Sequence, residues 1–361
     1  LLFFEERIRV NGIPIPKDKV CTMTTRIKPI AENMTMSKKF DHPTFFEIIT
    51  AMAFTHFIEE NVDYAVLEVG LGGRLDATNV ITPMACAITT VALDHTHVLG
   101  ENLDDVAREK AGIIKPGVPV VTGVEDDGLL DLIKKICLEK NCEVYTTKEH
   151  GAYYLKESGL KGQIFDIESN GSRFSDLKIH LLGEHQVKNA LIAAMTVNLL
   201  KKKGVDLPDE SIKKGFENTR WPGRLEIVQE KPTIVLDCAH NPAGMKALKS
   251  AFMDLFKEKE KTFIIGIMRD KDIPGIVKEI AYIADNIIVT KPKFERASEP
   301  EKIENEALKY CDHVLIKENV AEAVKYAKKS VKEDDVICIT GSIFNVGEAM
   351  QVLGRNEPLY F

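Results

Sequence analysis

Apolar and polar positions alternate in blocks along this chain, and the spacing within each block predicts its element. From Pro43 a nearly all-apolar helical pattern, PTFFEIITAMAFTHFIEE, leads into YAVLE, a strand pattern that closes at Glu68 against the glycine-rich turn GLGGR. The next apolar run, ACAITTVALDH, closes at His95. NLDDVAREKAGII then reads as a helix capped by Asn102, with Leu103, Val106, Ala107, Lys110, Ile113 and Ile114 at helical spacing. The strand GVPVVTG, a helix around 129–139 and the strand CEVYTT complete the rhythm of a parallel sheet. Over about 153–182 the pattern changes to short alternating runs with the turn signals ESG and SNGS, which predicts a small antiparallel sheet. A helix beginning near His185 runs to the KKKG at 201–204, where basic residues and a glycine suit a helix end.

The segment TRWPGRLE, 219–226, places proline and glycine between structured blocks and is read as the boundary between domains 1–222 and 223–361. Beyond it TIVLDCA, TFIIGIM, NIIVT, HVLIK and DVICITG are five short apolar runs with helical patterns between them. The fold class is therefore α/β: a parallel-sheet domain with a small antiparallel sheet, followed by a doubly wound Rossmann-like domain.

Composition narrows the partners. A length of 361 residues suits two domains, and 48 basic against 55 acidic residues give a net charge of -7, with no electrostatic reason to expect nucleic acid or an anionic membrane. The seven cysteines are scattered, several in apolar runs (Cys86, Cys238, Cys338), in a spacing that suits neither a disulfide framework nor a zinc ribbon. A reducing cytoplasm is the expected home. The opening LLFFEERIRV has no basic leader and acids follow at once, so neither a signal peptide nor a membrane anchor is expected there.

Candidate chemistry gathers where strands end. Glu68 and His95 close apolar runs, and in open parallel sheets ligands bind at the carboxyl ends of strands. Lys110 lies on the apolar face of its helix. Burial lowers a lysine's pKa and leaves a nucleophilic amine, which suits a reactive lysine or one that carbon dioxide converts into an anionic metal ligand. Snorkelling of the ammonium to water is the plainer alternative. LDCAHNP ends a strand and opens a helix capped by Asn241, so Asp237 and His240 are expected to face a crevice. TGSIFNVGE, with Ser342, is a similar turn whose free N–H groups could hold an anion. Asn189, in the first turn of its helix, could present an amide to a base, and Arg224 in the hinge could cross to a phosphate in the other domain. GLGGR is not the spaced GxGxxG of dinucleotide folds.

Taken in order, FEERIRVNG, PTFFE, LEVGLGGRLDATN, LDHTHVLG, REKAGIIKPG, GEHQVKNA, WPGRLE, LDCAHNP and TGSIFNVGE resemble the folylpolyglutamate synthase and dihydrofolate synthase branch of the Mur ligase family over almost the whole chain. The resemblance implies an ATP-dependent amide ligase: a pterin or folate carboxylate takes the terminal phosphate of ATP, and the amino group of L-glutamate attacks the acyl phosphate. It implies Glu68 and His95 as Mg2+ ligands with Lys110, as a carbamate, completing the site. Asn189 would meet adenine, Arg224 the phosphates and Asp237 the ribose, with His240 and Ser342 as further ATP contacts. The pterin would lie against Thr44, Phe45, Phe46 and Glu47 on one side and Leu75, Asp76 and Ala77 on the other. A monomer acting on small molecules is expected.

One departure stands out. The family's phosphate loop, ending in GKS or GKT, should lie upstream of FEERI, and no GxxxxGK[ST] occurs in this sequence. The expectation is an N-terminally truncated first domain in which a missing central strand exposes a sheet edge. Other functions remain open from the residues alone: a metal-dependent hydrolase using Glu68 or Asp94 with His95 and His97, a cysteine hydrolase pairing Cys238 with His240, or a catalytically silent binding protein.

Overall fold

The computed structural model describes residues 2–37 and 39–355. The chain opens with a short hairpin, β1 (Arg9–Val10) and β2 (Ile13–Pro14), followed by helices α1 (Lys17–Met36) and α2 (Phe45–Glu59). α2 starts where a reciprocal cap allows it: the Glu47 N–H donates to Thr44 Oγ1, and the Thr44 N–H donates to Glu47 Oε2. Ile8, Ile15, Met23, Ile49 and Met52 give this part its own small core. α1 was not foreseen; its sequence is polar on most sides, and it carries Pro29 inside the helix.

The parallel sheet has the order β3 (Cys86–Ile88), β4 (Val120–Thr122), β5 (Val144–Thr146), and between its strands come α3 (Thr96–Leu99), α4 (Leu103–Ala111) and α5 (Asp127–Glu139). Cys86, Ile88 and Val120 meet Ala107, Ala111, Leu129 and Ile133 on one face. Val121 points to the other, against a helix described below. After the short α6 (Thr147–His150), the antiparallel sheet is β6 (Gly151–Gly159), β7 (Gly162–Ser169) and β8 (Ser172–Ile179), packed on α7 (Glu184–Lys202) through Phe165, Ile167, Leu191 and Met195. Gly204, with φ 92°, follows α7 as the basic end of that helix led one to expect.

The predicted strand YAVLE is corrected by the structure. Residues 64–69 form no regular element and pair with no strand among the described residues, and Val66 is 98% exposed. A strand is defined by its ladder, so a sequence with strand character stays irregular when nothing lies beside it. The run ending at His95 is likewise shorter than expected, since pairing covers only Cys86–Ile88.

After α8 (Asp209–Asn218), six strands form the second sheet: β9 (Glu226–Glu230), β10 (Thr233–Leu236), β11 (Lys261–Ile265), β12 (Asn286–Thr290), β13 (Val314–Lys317) and β14 (Val336–Thr340), in the order β13-β12-β11-β14-β10-β9. Five are parallel and correspond to the five apolar runs; β9, antiparallel to β10, adds an edge strand just past the 219–226 boundary that the sequence pattern does not single out. Alternate residues serve the two faces. Val235, Phe263, Ile287 and Cys338 pack against α9 (Pro242–Leu255), α10 (Ile273–Ala281) and α11 (Pro300–Ala307). Ile234, Ile264, Ile288 and Ile337 pack against α12 (Val320–Ser330) and α13 (Ile343–Val352). Helices on both faces make this sheet doubly wound, so the crossover direction reverses beside β10, β14 and β11, whose carboxyl ends open a crevice.

Candidate functional site

The glycines of GLGGR act by steric proximity. A Cβ on Gly73 would stand 2.7 Å from the Glu109 carbonyl oxygen and 2.8 Å from that of Lys110, and one on Gly112 would stand 2.4 Å from the Arg74 Cα. Backbone lies on backbone here, leaving no room for a side chain. The contact is fixed by Arg74, whose N–H donates to Glu109 O and whose Nε donates to Glu109 Oε1, both at 2.9 Å, and by Asn79 Nδ2, which donates to Arg74 O and Gly112 O. The turn is thereby locked onto the helix that carries Lys110.

Lys110 occupies the last turn of α4, half-buried. Burial lowers its pKa, and the nearby Asp94 carboxylate opposes the shift only in part. Glu68 is exposed near the end of that unpaired segment.

His95 adopts a left-handed backbone, φ 48° and ψ 42°, ahead of α3. This conformation is uncommon for a residue with a Cβ and is typical of positions held for a purpose. Asp94 helps to hold it by accepting the His95 N–H on Oδ1 at 2.8 Å. The same carboxylate reaches the second domain: Lys271 Nζ donates to Oδ1 at 2.7 Å and Asn241 Nδ2 to Oδ2 at 3.0 Å, while His240 Nε2 stands 3.3 Å from Oδ2. Burial would raise the Asp94 pKa, but hydrogen bonds from His240, Lys271 and Asn241 outweigh it and hold the carboxyl well below the usual range. Lys271 also meets His95 Nε2 at 3.1 Å. Burial and the Lys271 charge lower the His95 pKa.

The hinge is built around Asp237. Its Oδ2 accepts the Leu225 N–H and its Oδ1 the Ala239 N–H, each at 2.9 Å, and the residue is 8% exposed. Leu225 is itself left-handed, φ 46°. Asp237 is less open than the crevice expected for it: the side chain is largely buried and clamps the hinge, because a strand-end carboxylate takes up the two free N–H groups beside it. Desolvation raises its pKa. His240, partly exposed, does face Asp94 as expected for a crevice residue. Ser342, at 2% exposure, caps α13, donating to Gly266 O and accepting the Asn345 N–H, so its hydroxyl is engaged within the fold.

Arg224 is exposed beside the hinge, close enough to His185 on α7 for its charge to lower that half-buried imidazole's pKa further, desolvation being the larger cause. It therefore stands between the two domains. Asn189 is exposed on α7, with its amide N–H donating to Gln186 Oε1 at 3.1 Å.

The residues proposed to meet the pterin are brought together. α2 packs on the 3-10 turn Ala77–Val80, and the Phe46 ring lies on Gly70, where a Cβ would be 2.6 Å from it. Phe45 and Leu75 are 65% and 80% exposed. The polar groups are less available: Thr44 and Glu47 cap each other, and Asp76 accepts from the Leu71 N–H and from the Thr78 N–H and hydroxyl.

Sequence reading missed Lys271 altogether, and met Asn241 only as a cap and Asp94 only as a hydrolase ligand. The RDKD after β11 sits at a strand's carboxyl end, which was the available signal.

The competing chemistries find little support. Among the described residues no three His, Cys, Asp or Glu side chains form a cage for a metal ion, although the His95 and His97 rings lie 6.1 Å apart. The cysteine pair fails as well, since burial pushes the Cys238 thiol up to about 12 and His240 Nδ1 bonds the Cys238 carbonyl oxygen at 2.9 Å. Magnesium makes a smaller demand, because it keeps several waters and needs only one or two protein anions. By chemistry, Glu68 offers a carboxylate and His95 an imidazole of the kind such a hydrated ion takes.

Residues 18–197 match the Mur ligase middle domain and residues 223–343 the Mur ligase glutamate ligase domain. The chain is 31% identical to the dihydrofolate synthase/folylpolyglutamate synthase of Bacillus subtilis over 96% of its length and 81% of that protein's. It is 32% identical to the folylpolyglutamate synthase of Lacticaseibacillus casei, over 98% and 81% respectively. The Mycobacterium tuberculosis folylpolyglutamate synthase structure complexed with ADP and AMPPCP superposes with a TM-score of 0.93 at 31% identity, covering 99% of this chain and 84% of that one. Matching both Mur ligase domains, and about 30% identical to these synthases over nearly its whole length, the chain belongs to the folylpolyglutamate/dihydrofolate synthase branch of the Mur ligases, ATP-dependent enzymes that ligate glutamate.

Proposed function

We propose that this chain ligates L-glutamate to the carboxylate of a pterin or folate acceptor at the expense of ATP, with domain 1–222 carrying the acceptor and metal site and domain 223–361 closing on it. The acceptor carboxylate attacks the terminal phosphorus of ATP, and ADP leaves with the bridging oxygen's electrons. The glutamate nitrogen then adds to the acyl carbon, and phosphate leaves as the nitrogen loses a proton. Water would hydrolyse the acyl phosphate, so the chemistry needs a closed cleft. The observation that carries this reading is the meeting of Asp94 and His95 from one domain with His240, Asn241 and Lys271 from the other.

Magnesium, when bound to Glu68, His95 and a carbamate on Lys110, would offset phosphate charge. Burial of Lys110 raises the fraction of neutral amine, which forms the carbamate by adding carbon dioxide and releasing a proton. Arg224 would place positive charge against phosphate oxygens across the hinge. Asn189 and Asp237 would face the nucleoside, Asp237 through the oxygen lone pairs its two backbone bonds leave over. His240 would border the phosphates. Phe45, Phe46, Leu75 and Ala77 would wall the acceptor, with Thr44, Glu47 and Asp76 holding that wall in shape. A monomer in the cytoplasm is the setting that the acidic charge balance and the free, mostly buried thiols favour. Among the described residues no helix is long and apolar enough to cross a membrane.

The test is to supply the 361-residue chain, and the same chain carrying the family's phosphate loop ahead of Leu1, with ATP, Mg2+, L-glutamate and, separately, dihydropteroate and tetrahydrofolate. Acceptor-dependent ADP release with a glutamyl-extended product by mass spectrometry is expected from the extended chain, at a rate that the 361 residues, which hold no GxxxxGK[ST], do not reach. In the extended chain, ADP release independent of both acceptors, or none at all, would overturn the reading, and equal rates in the two chains would show that the phosphate loop is dispensable.

A further inference from the structure

Lys271 is the group on the second domain that touches both Asp94 and His95. Its side chain is 9% exposed, and its ammonium lies 2.7 Å from Asp94 Oδ1 and 3.1 Å from His95 Nε2. An ammonium has donors and no lone pair, so Nε2 must be the acceptor and His95 is the neutral ring with its lone pair aimed at Lys271. A divalent cation on that nitrogen needs the same lone pair. The two cannot hold it together.

We propose that Lys271 is a positioning residue that exchanges with the divalent cation at His95 Nε2: the lysine holds the imidazole across the domain boundary until the cation takes the nitrogen and displaces it. The proposal rests on reading His95 as a cation ligand and adds the interdomain competitor. Coupling between two binding events is reciprocal, so the lysine weakens the cation by the factor by which the cation weakens the lysine. The exchange is confined to one side chain. Around Lys271 the backbone is tied down: its N–H donates to Met268 O, its carbonyl accepts the Ile273 N–H, and Met268 pairs with Ala297 across a β-bridge. Asp94 keeps Asn241 when the lysine leaves, so the domains stay in register while the ammonium swings.

The experiment measures Mn2+ binding to the 361-residue chain by electron paramagnetic resonance of the free ion, in the wild type, Lys271→Met and His95→Gln, with Lys271→Gln as a second replacement should the methionine variant fold poorly. In parallel, Lys271 is acetylated with an N-hydroxysuccinimide ester with and without saturating Mn2+ and followed by peptide mass spectrometry. Lys271→Met should bind Mn2+ about tenfold tighter, the low end for losing a competing hydrogen bond to a charged group. Mn2+ should raise the acetylation rate of Lys271 several-fold and leave that of Lys261, which is 8% exposed and donates to Lys259 O, unchanged. If His95→Gln leaves Mn2+ affinity unaltered, His95 is not a ligand and the proposal falls with that reading. If His95→Gln weakens Mn2+ but Lys271 acetylation ignores the ion, lysine and cation coexist, and the exchange alone is wrong. A gain in affinity for Lys271→Met without the acetylation response would be simple charge repulsion, and it too overturns the exchange.

Discussion

Removing the Asp94–Lys271 pair tests whether these two side chains join the domains. At 2.7 Å two unit charges attract by about 6 kcal/mol with an effective dielectric near 20. Most of that is offset by desolvation, because the side chains are 21% and 9% exposed. The net value should lie between that of a surface pair, about 0–1 kcal/mol, and the roughly 3–5 kcal/mol lost when a fully buried pair is broken, so about 2 kcal/mol is expected. A double-mutant cycle of Asp94→Asn and Lys271→Met isolates it. Urea unfolding can be followed by the single tryptophan, Trp221, which sits in the hinge segment half exposed and should report separation of the domains. The pH dependence has a definite sign. The Asp94 carboxyl is depressed in the folded protein, so its contribution is complete above the ordinary unfolded value near pH 4 and is lost as pH falls through the folded value. The coupling should therefore be the same at about pH 5 and pH 7. A coupling energy under about 0.5 kcal/mol would mean that the pair meets without joining anything.

Lys110→Ala should abolish ligation while the fold survives, and short carboxylic acids should restore part of the rate; full activity in the alanine variant would remove the carbamate from the mechanism. Arg224→Ala should lower kcat more than it raises the acceptor KM, since charge grows on phosphate oxygens in the transition state, and a pure KM effect in steady-state kinetics would place Arg224 elsewhere. Gly73→Ala should lower stability by about 2–3 kcal/mol in denaturant titrations, because its Cβ would meet backbone oxygen on both Glu109 and Lys110; an unchanged midpoint would show that the turn is free to move.

Elements whose burial pattern and pairing agree were legible in the sequence. The five apolar runs after Glu226 became five parallel strands, and Asn102 caps α4, accepting the Asp105 N–H, as its spacing demands. Residues 64–69 have the same strand character, yet a strand requires a neighbour that composition cannot supply. At the site, residue type and location were readable but side-chain commitment was not. Ser342 and Asp237 stand at strand ends as expected, and each is consumed by local N–H groups whose positions depend on tertiary folding. Lys271 escaped notice because a lysine in a polar loop looks solvated; only the approach of Asp94, 177 positions away in the chain, gives it a partner.

The interlocking of Gly73 with Glu109 and of Gly112 with Arg74 bears on how this enzyme could change its diet. Because the turn and the lysine helix are keyed to each other, the wall proposed for the acceptor and the group proposed for the metal would form one solid piece whose relative placement is decided during folding. Leu75 hangs from that piece almost fully in solvent and bears little load. On the proposed site, variation at Leu75 would reshape acceptor choice while the reacting geometry stays in register, whereas a drift in the glycines would alter both together. Selection for a new pterin has an inexpensive route through the exposed side chain and a closed one through the backbone beneath it.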